Sequence, residues 1–311
     1  MDDLIPTAQL KLRGLGSREI AERIASGDLT RVMRGQYVQT PLDARALHLQ
    51  RARSCAGQVL ALETAAMVHG LPITRLPELV QVVQQGAGRS RTRTIKRVLS
   101  APLPAQHVTE VDGLLLTTLP RTVVDLARVR GLEPGMIAWE AARWRARVAE
   151  ALTAFDAEAA DVIEALRGRK GLRHAQVALV RASAMSQSPM ETRSLMRMRT
   201  LGIPEPVQQY EVLDPGGTSL GFTDFAWPDL GVLGEYDGQD KYDLLARPGE
   251  TPAAVMRREK RRQERMESLG WVFARWGKEE VGRPPALRER IDRAFAIAAR
   301  RSGPAMYVGG R

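Results

Sequence analysis

Residues 7–40, TAQLKLRGLGSREIAERIASGDLTRVMRGQYVQT, carry three linked apolar patterns. Thr7 to Arg13 suits a short helix. A second helix is expected to open with Ser17 as N-cap, to gather Ile20, Ala21 and Ile24 on one face and to stop near Gly27. The period then shortens. Leu29 to Met33 and Gln36 to Val38 flank Arg34-Gly35, a turn whose glycine permits positive φ. Helix, turn, helix and hairpin over residues 1–41 predict a winged helix-turn-helix. In such a unit the second helix, beginning at Ser17 and Arg18, would enter a DNA groove while Arg31 and Arg34 on the hairpin meet phosphates. A small helical hairpin with solvated arginines is the competing reading.

Residues 42–182 read as a helix-rich α/β middle region, with helical spacing in Ala61 to Val68, Val123 to Val129 and Ala157 to Leu166. Leu79 to Val83 and Leu114 to Thr118 look like strands. Between them GRSRTRTIKR, residues 88–97, carries five basic residues in ten. As a loop it could clamp phosphates through Arg91 and Arg93, although a charge run is more often a solvated segment. SAMSQSP, residues 183–189, reads as the linker to a new unit. Nine of the fifteen aromatic residues lie between Tyr210 and Trp276, where short apolar runs suit strands. The expected units are therefore 1–41, 42–182, 183–285 and a C-terminal helix and tail, 286–311. That helix sets Leu287, Ile291, Phe295 and Ala298 on one face.

The segment GFTDFAWPDLGVLGEYDGQDKY, residues 221–242, predicts two strands around Pro228-Asp229-Leu230-Gly231. That turn puts Asp224 opposite Glu235 and Phe222 opposite Asp237, so the three acids share one face. Two carboxylates about 5 Å apart repel by roughly 3 kcal/mol at an effective dielectric near 20. Water would screen that repulsion; a divalent cation would reverse its sign. Mg²⁺ or Mn²⁺ held by Asp224, Glu235 and Asp237 would polarise a phosphoryl oxygen and activate a bound water. A lysine, Lys241 or Lys260, would orient the nucleophile or steady developing charge. Lys260 falls in TPAAVMRREKRRQERMESLG, residues 251–270, a helix whose several arginines include Arg261 as a phosphate contact. Glu191 is a further candidate acid, although SPME, residues 188–191, places it where a capping box alone would explain it.

Forty of the 46 basic residues are arginine, and the net charge of +10 favours polyanion partners, double-stranded DNA first. GC-rich coding produces the same arginine excess. Cys55 is the single cysteine, so no intrachain disulfide is available and a reducing, cytoplasmic compartment is expected. No signal-peptide pattern and no run of about 18 apolar residues points to a membrane. His48, His69, His107 and His174 lack metal-ligand spacing, and no glycine-rich phosphate loop appears.

METRSLMRMRTLGIPEPVQQYEV, FTDFAWPDLGVLGEYDGQDKY and REKRRQERMESLGWVFARW together resemble the very-short-patch-repair-endonuclease-like branch of the PD-(D/E)XK nuclease superfamily. The resemblance implies a restriction-endonuclease-like α/β domain that hydrolyses DNA phosphodiester bonds. In it Asp224 and Glu235 would ligate metal, Glu191 would act directly or through water, and Asp237 would be a further ligand or base. Aspartate stands at position 237 where a strict E-x-K motif has lysine, so the lysine role passes to Lys241 or Lys260 or is missing. TAQLKLRGLGSREIAERIASGDLTRVMRGQYV, LETAAMVHGLP and GLLLTTLPRTVVDLA resemble the N-terminal part of AbiEi-type antitoxins. That likeness implies operator binding, autorepression and a cognate toxin, and the fused arrangement suggests a mobile-element or anti-phage setting. The alternative to an endonuclease is thus a repressor with an inactive nuclease fold.

Overall fold

The computed structural model describes residues 4–39, 41–86, 91–92, 95–238 and 251–301. The protein is mixed α/β, with twelve α-helices and three sheets among those residues, and it divides between Ala182 and Ser183 into two compact units. No described helix is long and apolar enough to cross a membrane.

The first unit begins with β1 (Ile5–Pro6), α1 (Thr7–Leu12), α2 (Ser17–Ser26), β2 (Thr30–Met33) and β3 (Gln36–Val38). Ile5, Leu10, Ile20, Leu29 and Tyr37 close into one core, which is what the helical face of Ile20 and the hairpin alternation require. The strands run in the order β1-β3-β2. β1 has no counterpart in the sequence pattern, because a two-residue strand leaves no period; Thr7 holds it in place, its N–H donating to the Gly35 carbonyl at 2.9 Å. Gly35 has φ +80° and Gly27 φ +86°, as the turn and helix stop demand. One correction concerns Ser17, which is the first helical residue and not the cap. Gly16 takes the cap position, and its N–H donates to Glu19 Oε2 at 2.8 Å.

The unit continues with α3 (Ala44–Arg53), β4 (Val59–Leu60), α4 (Leu62–Val68), β5 (Val80–Gln85), β6 (Arg91–Thr92), β7 (Lys96–Ala101), β8 (Val108–Val111) and β9 (Leu114–Thr117). Four helices follow: α5 (Leu119–Arg130), α6 (Leu132–Val148), α7 (Leu152–Ala165) and α8 (Leu172–Arg181). The strands form one six-stranded sheet, β6-β7-β5-β4-β9-β8, so the helix-rich expectation for residues 42–182 understates the β content. The basic run 88–97 is also not a plain loop: Arg91 and Thr92 pair with Val98 and Arg97 at the sheet edge, while Arg93 lies outside the described residues. Arg121 of α5 is fully buried, and polar groups, Asp125 the charged one named here, hold it. It donates to Asp125 Oδ2 at 2.7 Å and to the Pro102 carbonyl at 2.8 Å, and contacts His107 Nδ1 at 3.2 Å. Cys55 is buried and burial pushes its thiol pKa up, which suits a packing role.

The second unit contains α9 (Pro189–Thr200), β10 (Val207–Leu213), β11 (Ser219–Trp227), β12 (Val232–Tyr236), α10 (Pro252–Ser268), β13 (Val272–Trp276), α11 (Lys278–Gly282) and α12 (Pro284–Ala299). Its sheet runs β10-β11-β12-β13, with β12 and β13 parallel. Alternation along the strands sends Phe225, Trp227, Val232 and Trp276 to one face, where Leu195 and Met198 of α9 and Leu287 and Ile291 of α12 cover them. Ala226 and Leu233 face the other way and meet Met266 of α10. The C-terminal helix, set apart at residue 286 on sequence grounds, therefore belongs to the same core as the sheet.

Candidate functional site

The hairpin keeps the expected register. Phe225 pairs with Gly234, Ala226 with Leu233 and Trp227 with Val232, around a 3-10 turn at Pro228–Leu230 closed by Gly231 at φ +67°. One step further, that register sets Asp224 opposite Glu235, and both follow Ala226 and Leu233 toward α10. Their carboxylates, however, already have partners. Asp224 Oδ2 accepts from the Tyr236 N–H at 2.8 Å. Glu235 is 7% exposed and accepts from Arg262 Nη2 at 2.6 Å on one oxygen and from Arg275 Nη2 at 2.7 Å on the other.

This cluster explains why a buried strand tolerates an acid. A carboxylate withdrawn from water needs charge and hydrogen bonds in return, and two guanidinium groups supply both. Arg262 is itself fixed, its Nε donating to Glu259 Oε2 at 2.9 Å and its Nη1 to the Phe222 carbonyl at 3.2 Å. Burial works against the Arg262 charge, but Glu235 and Glu259 outweigh it and hold the guanidinium above its ordinary value.

The remaining candidates are dispersed. Asp237 lies just past β12 with its side chain exposed and its N–H donating to the Trp276 carbonyl at 2.9 Å. Lys241 lies outside the described residues. Lys260 is exposed on α10, 3.9 Å from Glu264, and Arg261 beside it is also exposed. Glu191 sits on α9, across the sheet from α10. Its Oε2 accepts from the Gln187 N–H at 2.9 Å and from Gln209 Nε2 at 3.1 Å, while Ser188 Oγ accepts from the Glu191 N–H at 3.2 Å. The carboxylate thus reaches one residue beyond the expected cap, and Glu191 is tied to the helix start and to β10.

Among the described residues no group of three or more His, Cys, Asp or Glu side chains is placed to hold a metal ion. With both Glu235 oxygens engaged by arginine, the donor set suits a neutralised ion cluster better than Mg²⁺ or Mn²⁺, which needs several oxygens aimed at one point. Sequence reading missed Arg262 and Arg275 as partners of Glu235. Arg262 was visible only as one of several arginines in its helix, and Arg275 only as the polar position of the alternating strand VFARW. It also missed Gln209, which holds Glu191 with its backbone at φ +51° in the strand position opposite Asp224.

The basic candidates of the first unit stand on open surface. Ser17 and Arg18 are exposed on the first turn of α2, where Arg18 Nε meets Glu22 Oε1 at 3.0 Å in a solvated pair of little energetic weight. Arg31 projects from β2 while its neighbour Val32 is buried, and Arg34 is exposed at the turn before Gly35. The Val32 carbonyl accepts from Arg51 Nε at 2.8 Å, which fastens β2 to α3. Arg91 is exposed on β6, at the edge of the separate six-stranded sheet.

No family model matches the chain. It is similar to two proteins of Mycobacterium tuberculosis, "Uncharacterized protein MT2308" of strain CDC 1551 / Oshkosh and "Uncharacterized protein Rv2248" of strain ATCC 25618 / H37Rv. Each is 27% identical to it over 278 residues, spanning 89% of this chain and 96% of the relative. Such an aligned length exceeds either compact unit alone, so the similarity extends over both.

Proposed function

We propose that the protein is a DNA-binding regulator whose N-terminal winged helix-turn-helix contacts duplex DNA and whose second unit, of restriction-endonuclease-like topology, does not cut it. One observation carries the non-catalytic half of this reading: both oxygens of Glu235, the acid a nuclease would turn to metal, accept from arginines. The binding half is supported by two helices and a hairpin with Arg18, Arg31 and Arg34 exposed, and by the net charge of +10. An AbiEi-like repressor acting on its own promoter, with a cognate toxin as partner in the cytoplasm, is the setting that the sequence resemblance favours. Footprinting over the protein's own promoter tests the reading. The parent chain should protect a defined stretch that Arg31→Ala with Arg34→Ala leaves open. Equal protection by both proteins, or no sequence preference near physiological salt, would contradict it.

A metal-dependent endonuclease is the second reading, favoured by the register that sets Asp224 opposite Glu235 on one face. Plasmid nicking with Mg²⁺ or Mn²⁺ distinguishes the two. Nicking by the parent that disappears in Asp224→Ala and Glu235→Ala would establish the enzyme; equal behaviour of all three would remove it.

A further inference from the structure

The open edge of the second sheet carries more positive charge than packing requires. β13 ends the strand order, and a groove of about 420 Å³ runs beside it, walled by α10, β13 and α12. Among the described residues Arg275, Arg290, Arg293 and Arg301 line it against one acid, Glu267. These arginines are positioned without being fully neutralised. Arg301 Nη1 donates to the Gly270 carbonyl at 2.8 Å and to the Trp271 carbonyl at 3.1 Å, contacts that fix the group and leave its charge. Arg290 meets Glu280 at 3.1 Å but remains half exposed, and Arg293 is exposed. Arg275 gives one nitrogen to Glu235, whereas its Nε is buried with no hydrogen-bond partner among the described residues.

We infer that this groove binds the phosphodiester backbone of nucleic acid, as a second contact surface distinct from the N-terminal unit. The inference rests on the DNA-binding reading of the chain and deepens it. Planar guanidinium forks match phosphate oxygens in pairs, and several directed at one groove form an electrostatic track. Phe273 lines the same groove, with the Arg275 guanidinium 5.3 Å from its ring centroid, so an apolar face lies beside the charge.

The test uses the full chain and a duplex carrying its promoter, with binding followed by fluorescence anisotropy across a salt series. Five proteins are compared: the parent, Arg31→Ala/Arg34→Ala, Arg290→Ala/Arg293→Ala, the combination of those four substitutions, and Arg293→Glu. Arg293→Glu and a thermal melt of each variant guard against misfolding. Loss of the two groove arginines should weaken binding about tenfold and lower the slope of log K against log salt by about 2. Arg293→Glu, which shifts the charge by as much as the double alanine variant, should weaken it comparably, and the combined variant should lose both contributions. Groove variants that melt like the parent and match it in affinity and slope would overturn the inference. So would inorganic phosphate or a mononucleotide binding in the groove while the duplex ignores these substitutions, because the site would then serve a small anion. A weakening by the groove variants with none from Arg31→Ala/Arg34→Ala would support the groove and sink the winged-helix reading alone.

Discussion

Glu235 is the residue on which the chemical account turns. Its burial makes the two arginines obligatory, since removing one partner of a buried pair leaves charge without compensation. Arg262→Ala should therefore cost about 3 kcal/mol of stability, read as a lower urea midpoint at unchanged slope. Arg275→Ala should cost less, because that side chain is 36% exposed and water can replace part of the contact. A shift near zero for Arg262→Ala would mean that Glu235 relies on some other group. This cluster was only half legible in the sequence. The acid, its strand and its opposite number Asp224 followed from alternation and turn chemistry. The arginines did not, because they lie 27 and 40 residues away along the chain and nothing local singles them out from their neighbours.

At the scale of elements, what was legible is what has a period. α2, the β2/β3 hairpin, α5, the β11/β12 hairpin and α10 all announce themselves through caps, glycine stops or alternation. β4 and β6 are two residues long, and β7, KRVLSA, is mostly half-buried, so neither length nor pattern marks them; β4 pairs with β5 and β9 and β7 with β5, well separated along the chain, while β6 pairs only with the adjacent β7 among the described residues. Close approaches between elements were equally invisible. Gly234 on β12 is one: a Cβ there would stand 2.8 Å from the Trp276 ring and 3.1 Å from Phe225 Cβ. Gly234→Ala should destabilise the second unit by about 1–3 kcal/mol through overpacking. Gly282→Ala, where nothing lies within 4 Å of the added methyl, serves as control. Equal thermal midpoints for the two variants would mean that the aromatic layer yields without cost.

Over the whole molecule, titration and charge set the behaviour. In the first unit burial lowers the pKa of His48, His69 and His107 below the ordinary histidine value, with Arg51, Arg145 and Arg121 respectively adding to the effect. These rings are neutral in the folded state and protonate more readily once unfolded, so stability is full above about pH 6.5 and falls as pH drops through the lowered values. Urea midpoints at pH 8, 7, 6 and 5 should decline only in the acid half of that range. A midpoint that is flat, or that rises on acidification, would contradict the assignment. The excess positive charge was readable from composition, but its placement was not; that needed the sheet edge and helix faces that put arginines in one groove.

The central claim is that the chain grips duplex DNA and leaves it whole. Its most direct test is one sample of promoter duplex with the parent protein and Mg²⁺, read for bound fraction by anisotropy and for strand length on a denaturing gel. The account predicts saturable binding, weakened by Arg31→Ala with Arg34→Ala, and full-length strands throughout. Shortened strands that vanish when Glu235→Ala replaces the parent would contradict it.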